Sequence, residues 1–333
     1  MSEGKPKLIV ITGPTATGKT SLAIDLAMAV EGEIVNADSM QVYRGMDIGT
    51  AKPSLEEREK VPHHLIDIVD PDQEFNAALY RSMAVSAIRS ILERKRACFV
   101  VGGTGLYIKA LLGGLLPSPP ADLSLRAELK RICEREGSIR LHNRLEELDP
   151  QSARKIHPHD RIRIIRALEI IELTNEPFSD LVKKHRFGEQ GFDCLKICLN
   201  VGRSELYHRI EERCQKMVEQ GLVQETQNLL DKGHSPELKS MKALGYRHMV
   251  KFLDGTWDLD TAVQELQKDT RHYAKRQLTW FRADPQLVWL RPDEGQEILG
   301  MVSNFLERGK SREDGTVPKT TSVQRNGSLY EQG

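Results

Sequence analysis

The 333-residue chain has no long hydrophobic run. None of its apolar stretches approaches the ~20 residues that cross a bilayer as a helix, so no membrane span is expected. Net charge is also missing, since 48 Lys and Arg balance 48 Asp and Glu. A nucleic-acid partner therefore has to be argued from local clusters and not from global charge. Cysteine is scarce: Cys98, Cys133, Cys194, Cys198 and Cys214 are odd in number and scattered. The Cys194 and Cys198 pair does not match a zinc-knuckle spacing, and reduced thiols of a cytoplasmic protein are expected. The first residues, Met1 to Pro6, lack the form of a signal peptide. No internal repeat is visible. With 39% apolar and 29% charged residues, a soluble globular chain of one large domain or two is expected.

The most informative stretch is Gly13-Pro14-Thr15-Ala16-Thr17-Gly18-Lys19-Thr20. It follows an apolar run, Leu8-Ile9-Val10-Ile11, and precedes a helical pattern over 21–27. Strand, Gly-x4-Gly-Lys-Thr and helix make the P-loop pattern. Its glycines let successive N–H groups face one anion, and the helix N-terminus adds partial positive charge. Lys19 supplies a mobile cation, and the Thr20 hydroxyl is placed to ligate Mg²⁺. The pattern implies a polyphosphate but not which one. The expected fold is α/β: a P-loop NTPase-like core with a parallel sheet, carrying an all-helical insertion.

Strand patterns recur at 33–37, 98–101, 195–201 and 287–290, with a short strand or turn within 62–67. Helical spacing covers 76–94 and 106–112. Pro117-Ser118-Pro119-Pro120 then breaks the chain. Only helices follow as far as about 184, at 123–136, 139–148, 150–155 and 161–173. The last third reads as helices at 204–220, 223–231, 246–253 and 259–282, the last capped by Asp258 or Asp260. The domains are therefore set at 1–117 with 195–307 for the core and 118–194 for the insertion. A tail at 308–333, rich in Gly, Ser, Thr, Lys and Asn, reads as disordered.

Asp38 falls at the C-terminal end of the second strand, where open α/β sheets bind ligands. It could reach Mg²⁺ as a Walker-B-like carboxylate or face an acceptor as a general base. Ser39, Gln41 and Tyr43 alternate with Met40 and Val42 beside it and favour a polar planar group such as a nucleobase. Thr104 follows another strand in Gly102-Gly103-Thr104-Gly105 and could cap a helix or touch a phosphate oxygen. Arg209 and Arg213 share a helix face, as an ion-paired surface or a diphosphate clamp. Basic clusters at 151–166 and 268–282 stand out in a neutral chain and raise the prospect of phosphate-backbone contacts.

These segments resemble the tRNA dimethylallyltransferase family, its bacterial members closely. The resemblance runs in order through GPTATGKT (13–20), DSMQVYRGMDIGTAKP (38–53), PHHLIDI (62–68), VGGTGLY (101–107), IHPHDRIRIIRALEI (156–170), RIEERCQKM (209–217), ALGYRHM (243–249) and YAKRQLTWFR (273–282). It covers nearly everything from residue 7 to about 290. The 38–53 block is highly specific, whereas the P-loop alone is not. The resemblance implies transfer of a dimethylallyl group from dimethylallyl diphosphate to N6 of the adenosine 3′ to the anticodon of a tRNA, by a monomer. Asp38 would then be the base and Thr104 would contact the bridging oxygen. Gly13, Pro14, Thr15, Ala16, Thr17, Gly18, Lys19 and Thr20 would hold the diphosphate with Mg²⁺, helped by Arg213. Ser39, Met40 and Gln41 would line the adenine site. Arg126 and the run Ile162, Arg163, Ile164, Ile165, Arg166 would touch the anticodon stem-loop. The zinc finger of eukaryotic relatives is not expected, because no cysteine follows Cys214. The competing readings are a small-molecule kinase with 121–184 as a lid, a prenyltransferase of free adenine nucleotides, and a non-catalytic RNA-binding NTPase.

Overall fold

The computed structural model describes residues 5–116, 119–185 and 191–308; the expected tail lies outside them, except for its first residue. Strand β1 (Lys7–Thr12) leads through the P-loop into helix α1 (Lys19–Ala29), followed by β2 (Gly32–Asn36), α2 (Leu55–Lys60) and β3 (His63–His64). Helix α3 (Ala77–Glu93) and β4 (Ala97–Val101) come next, then α4 (Gly105–Gly113). The helical block is α5 (Leu123–Glu136), α6 (Ser138–Leu148), α7 (Pro150–Lys155), α8 (Arg161–Thr174) and α9 (Phe178–His185). The chain returns with β5 (Asp193–Leu199), α10 (Arg203–Glu219), α11 (Leu222–Asp231), α12 (Tyr246–Leu253), α13 (Leu259–Phe281), β6 (Val288–Leu290) and α14 (Gly295–Glu307). Three of these helices, α2, α9 and α14, have no counterpart among the sequence-based expectations. Among the described residues no helix is long and apolar enough to cross a membrane.

The six strands form one sheet in the order β3-β2-β4-β1-β5-β6, and every pairing is parallel. The unbroken apolar runs of β1 and β4 suit a sheet covered on both faces. Leu8 and Val10 point into one core with Tyr80, Ile88, Tyr107, Ile210 and Phe281, while Ile9 and Ile11 point into the other with Leu22, Leu26, Ile298 and Val302. Helix α14 therefore closes the face that α1 alone would leave open. Because the strands are parallel, the loops after β1, β2, β4 and β5 all emerge at one edge.

Caps fix where the helices start. The Asn76 side chain accepts from the N–H groups of Ala78 and Leu79, and Asp258 accepts from Thr261. Helices α5 to α8 surround a separate core that includes Leu129, Leu141, Leu145, Ile164, Ile165, Leu168 and Ile171. Within it Glu169 is fully buried. Its carboxylate accepts from Arg126 at 2.7 Å, from Arg166 at 2.8 Å and from the Asp122 N–H at 3.0 Å. Burial works to raise its pKa, but the two arginines outweigh it and hold the carboxyl below the usual carboxylate range.

Candidate active site

The loop from Gly13 to Gly18 turns directly onto α1. Gly13 has φ of +137°, and a side chain there would meet the Leu199 carbonyl at 2.4 Å, so only glycine lets β1 and β5 lie this close. The Thr17 hydroxyl donates to the Pro14 carbonyl at 2.8 Å, as does Lys19 Nζ at 2.7 Å. Thr20 is half-buried and its hydroxyl makes no hydrogen bond among the described residues. Burial, and then the nearby Arg213 charge, bring the Lys19 ammonium down to about 8, while Asp38 acts the other way.

Asp38 sits where β2 ends. Its N–H donates to Asn36 Oδ1 at 3.2 Å, and its own Oδ1 accepts from the Met40 N–H at 2.8 Å. Oδ2 has no partner among the described residues. Thr104 precedes α4, yet its side chain makes no capping bond. Its Oγ1 accepts from the Ser39 N–H at 3.0 Å and donates to Ser39 Oγ at 3.3 Å. The loop after β4 is thereby tied to the loop after β2. Tyr273 of α13 also lies against Thr104 and Asp38, and burial pushes its phenol pKa upward.

Lys19, Thr20, Asp38, Gln41, Arg213, Tyr273 and Gln277 line one cavity of about 330 Å³, which continues past Thr50 and Pro53 to His63. Arg213 has no hydrogen bond or ion pair among the described residues, and burial lowers its pKa from the usual guanidinium value. A half-buried cation without an acceptor among the described residues, beside a lysine of lowered pKa, can receive an anion. Arg209 is not part of it. Glu205 holds it at 2.7 Å one helical turn away, so the pairing of Arg209 and Arg213 as a clamp fails. Among the described residues no group of three or more His, Cys, Asp or Glu could hold a metal by itself. The Thr20 hydroxyl is an oxygen donor that fits a hard divalent cation completing its shell with phosphate oxygens and water.

The segment after Asp38 is pinned by partners distant in sequence. Gln41 Nε2 donates to the Thr50 and Ala51 carbonyls, so its amide braces the loop from within. Glu225 of α11 accepts from the N–H groups of Asp47, Ile48 and Gly49, and from Tyr246 Oη at 2.6 Å. Lys52 Nζ reaches Asp47, Asp67 and the Tyr43 carbonyl. Nothing in the local sequence signals Glu225. Glu169 could have been suspected as a lone carboxylate in the run Ala167-Leu168-Glu169-Ile170-Ile171.

A second, larger cleft of about 880 Å³ lies across the sheet between α4 and α13. Lys109, Arg163, Lys196, Lys275, Arg276 and Trp280 line it, so it joins the helical block to the core. Of the residues expected at a nucleic-acid surface, Ile162 is 83% exposed and Arg163 is exposed beside Asp160. Ile164 and Ile165 are buried in the helical core instead, because α8 must bury one face there. Arg126 and Arg166 are half-buried on Glu169, which neutralises part of the first basic cluster. Arg154, Lys155 and Arg161 are exposed and have no ion pair among the described residues. In the second cluster Lys268 and Arg271 are engaged by Glu265 and Glu211.

A sequence model of the family described as IPP transferase matches residues 41–284. The tRNA dimethylallyltransferase 2 of Geotalea uraniireducens (strain Rf4) is 54% identical over 304 residues, which cover 91% of this chain and 98% of that protein. The tRNA dimethylallyltransferase of Geobacter sulfurreducens is also 54% identical, over 86% of this chain and 92% of its own. Among solved structures, the full-length tRNA isopentenylpyrophosphate transferase from Bacillus halodurans matches with a TM-score of 0.69 at 41% identity, covering 93% of this chain and all of that one. A eukaryotic dimethylallyltransferase acting on tRNA matches with a TM-score of 0.80 at 27% identity, covering 96% and 90%.

Proposed function

The chain belongs to the IPP transferase family of tRNA-modifying prenyltransferases, and from that premise we propose how its residues divide the work. The donor is dimethylallyl diphosphate and the acceptor is N6 of the adenosine 3′ to the anticodon. Lys19, Arg213 and the N–H groups of the P-loop hold the diphosphate, and Thr20 holds the Mg²⁺ that comes with it. Bound Mg²⁺ supplies further positive charge against the leaving group. The Thr104 hydroxyl, which donates to Ser39 Oγ in the unliganded arrangement, turns to donate to the bridging oxygen. The N6 lone pair attacks the allylic carbon, the C–O bond breaks, and diphosphate leaves with the electron pair. Asp38 Oδ2 takes the N6 proton as the C–N bond forms, so an ordinary ionised carboxylate suffices. Neutralising the leaving group is the larger part of the task.

One observation carries this reading. Among the described residues, a carboxylate oxygen without a partner and a half-buried arginine without an acceptor line the same small cavity as the P-loop lysine. A phosphoryl-transfer enzyme would use the same cradle, but that cavity continues along the 38–53 block. The target base leaves its stack to enter the cavity. The anticodon stem-loop lies along the basic cleft, with Ile162, Arg163, Lys275, Arg276 and Trp280 beside it and Arg126 and Arg166 behind Glu169 at its margin. Domain 118–194 is thus the RNA-gripping part of the molecule, and the enzyme acts in the cytoplasm as a monomer.

Mass spectrometry of tRNA incubated with the protein and dimethylallyl diphosphate tests the proposal. A single five-carbon addition to that adenosine is expected. Transfer of label from ATP to a small acceptor, with unchanged tRNA, would overturn it.

A further inference from the structure

Helix α13 sends one amide between the two glycine turns of the site. Gln277 is 6% exposed. Its Oε1 accepts from the Thr15 N–H at 2.9 Å, and its Nε2 donates to the Gly103 carbonyl at 2.9 Å. Among the described residues no backbone hydrogen bond fixes either of these groups. Both belong to planar peptide units, so holding one atom sets the direction of the other end. The Thr15 N–H shares its plane with the Pro14 carbonyl, which receives Lys19 Nζ and the Thr17 hydroxyl. The Gly103 carbonyl shares its plane with the Thr104 N–H, which donates to Ala37 at 3.1 Å. One side chain therefore orients the peptide that docks the P-loop lysine and the peptide that leads into Thr104.

We propose that Gln277 is a positioning residue. It sets the Pro14–Thr15 and Gly103–Thr104 peptide planes so that Lys19 and Thr104 are aimed at one diphosphate. The inference rests on the reading of this cavity as a diphosphate site. It goes further by assigning the alignment of the two loops to a residue from the far end of the chain. The same helix lines the basic cleft with Lys275, Arg276 and Trp280. Gln277 thus sits on the element that joins the RNA surface to the anion cradle.

The test uses Gln277→Met, Gln277→Ala, Gly103→Ala and the Gln277→Ala, Gly103→Ala double variant of the full chain. An added Cβ at Gly103 would lie 2.3 Å from Gln277 Nε2, with its next neighbour at 3.5 Å, so that substitution displaces the amide from the other side. Affinity for inorganic diphosphate is measured by calorimetry, alongside the KM for each substrate and the thermal midpoint. Loss of two hydrogen bonds is expected to weaken diphosphate binding and raise the donor KM by about tenfold. The KM for tRNA should stay within about twofold. Gly103→Ala should act like Gln277→Ala, and the double variant should be no worse than either, because both remove the same alignment.

A lowered thermal midpoint with unchanged diphosphate affinity would overturn the proposal, leaving Gln277 a packing residue. Additive losses in the double variant would overturn it too. If the wild type binds diphosphate but makes no prenylated tRNA, while the variants still lose diphosphate, the positioning role stands and the donor assignment falls. If prenylation proceeds and the variants match the wild type, the reverse holds.

Discussion

Asp38 leaves one carboxylate oxygen open while the other holds the turn that follows. Asp38→Asn keeps the oxygen that accepts from Met40 and removes only the base. Turnover is expected to fall by ~10²–10⁴ with tRNA affinity retained. Steady-state kinetics beside a tRNA binding assay check this, and lost binding with intact turnover would contradict the role. Lys19 yields a pH prediction. Its pKa is depressed to about 8, and the diphosphate prefers the protonated form, which is populated below that value. Diphosphate affinity should therefore fall as pH rises through about 8 in the wild type, beyond any change seen in Lys19→Met. A ratio of the two affinities that stays constant across that range would rule this out. The shared location of Lys19, Thr20 and Asp38 at one cavity is legible in the sequence because each position depends on near neighbours: a glycine loop, a strand end, a helix start. For Arg209 the sequence leaves an ion pair and a clamp both open, for the complementary reason. Its partner Glu205 lies one turn back on the same face, and spacing alone does not say which arginine is left over.

The 38–53 segment shows what the elements add. Its sequence reads as a long loop without periodicity, yet Glu225 gathers three consecutive N–H groups of it onto one carboxylate. Glu225→Gln would turn an amide N–H toward those donors and toward the Tyr246 hydroxyl. A stability loss of about 1–3 kcal/mol is expected. Hydrogen exchange at Asp47, Ile48 and Gly49 should quicken, and unchanged protection there would refute the bracing role. Such ties were invisible beforehand, since nothing near Glu225 marks it as the partner of a loop far upstream. The helices were clearer, because caps such as Asn76 and Asp258 and breakers such as Asp149-Pro150 are local. Helix α14 carries no such local mark: it covers the second sheet face because α1 leaves room there, and that need arises from the packing. Within α8 the run 162–166 could not all face a partner, since a helix has one buried side, and Ile164 and Ile165 occupy it.

At the scale of the whole molecule, charge neutrality conceals a polarised surface. Many cations are held by acids, as Arg126 and Arg166 are by Glu169, while Arg154, Lys155, Arg161, Lys275 and Arg276 have no ion pair among the described residues. If these five meet single-stranded phosphates, the logarithm of tRNA affinity should fall against the logarithm of salt with a slope of about −3 to −4. A fluorescence titration across salt concentrations measures it, and a flat profile would exclude this surface. The parallel sheet and the site at its loop-bearing edge were legible, because strand, glycine turn and helix recur at β1 and β4. The order of the strands was not, since it depends on which distant segments pair.

The bond between Thr15 and Gln277 spans 262 residues of chain. At 5–20 residues per second, a ribosome needs about 13 to 50 seconds to make that stretch. During that interval the glycine loop has been synthesised but lacks its brace. The growing polypeptide therefore carries an incomplete anion cradle through most of its own translation. A stalled nascent chain ending before α13 should accordingly retain inorganic diphosphate poorly, and competence should arrive abruptly, near the end of synthesis.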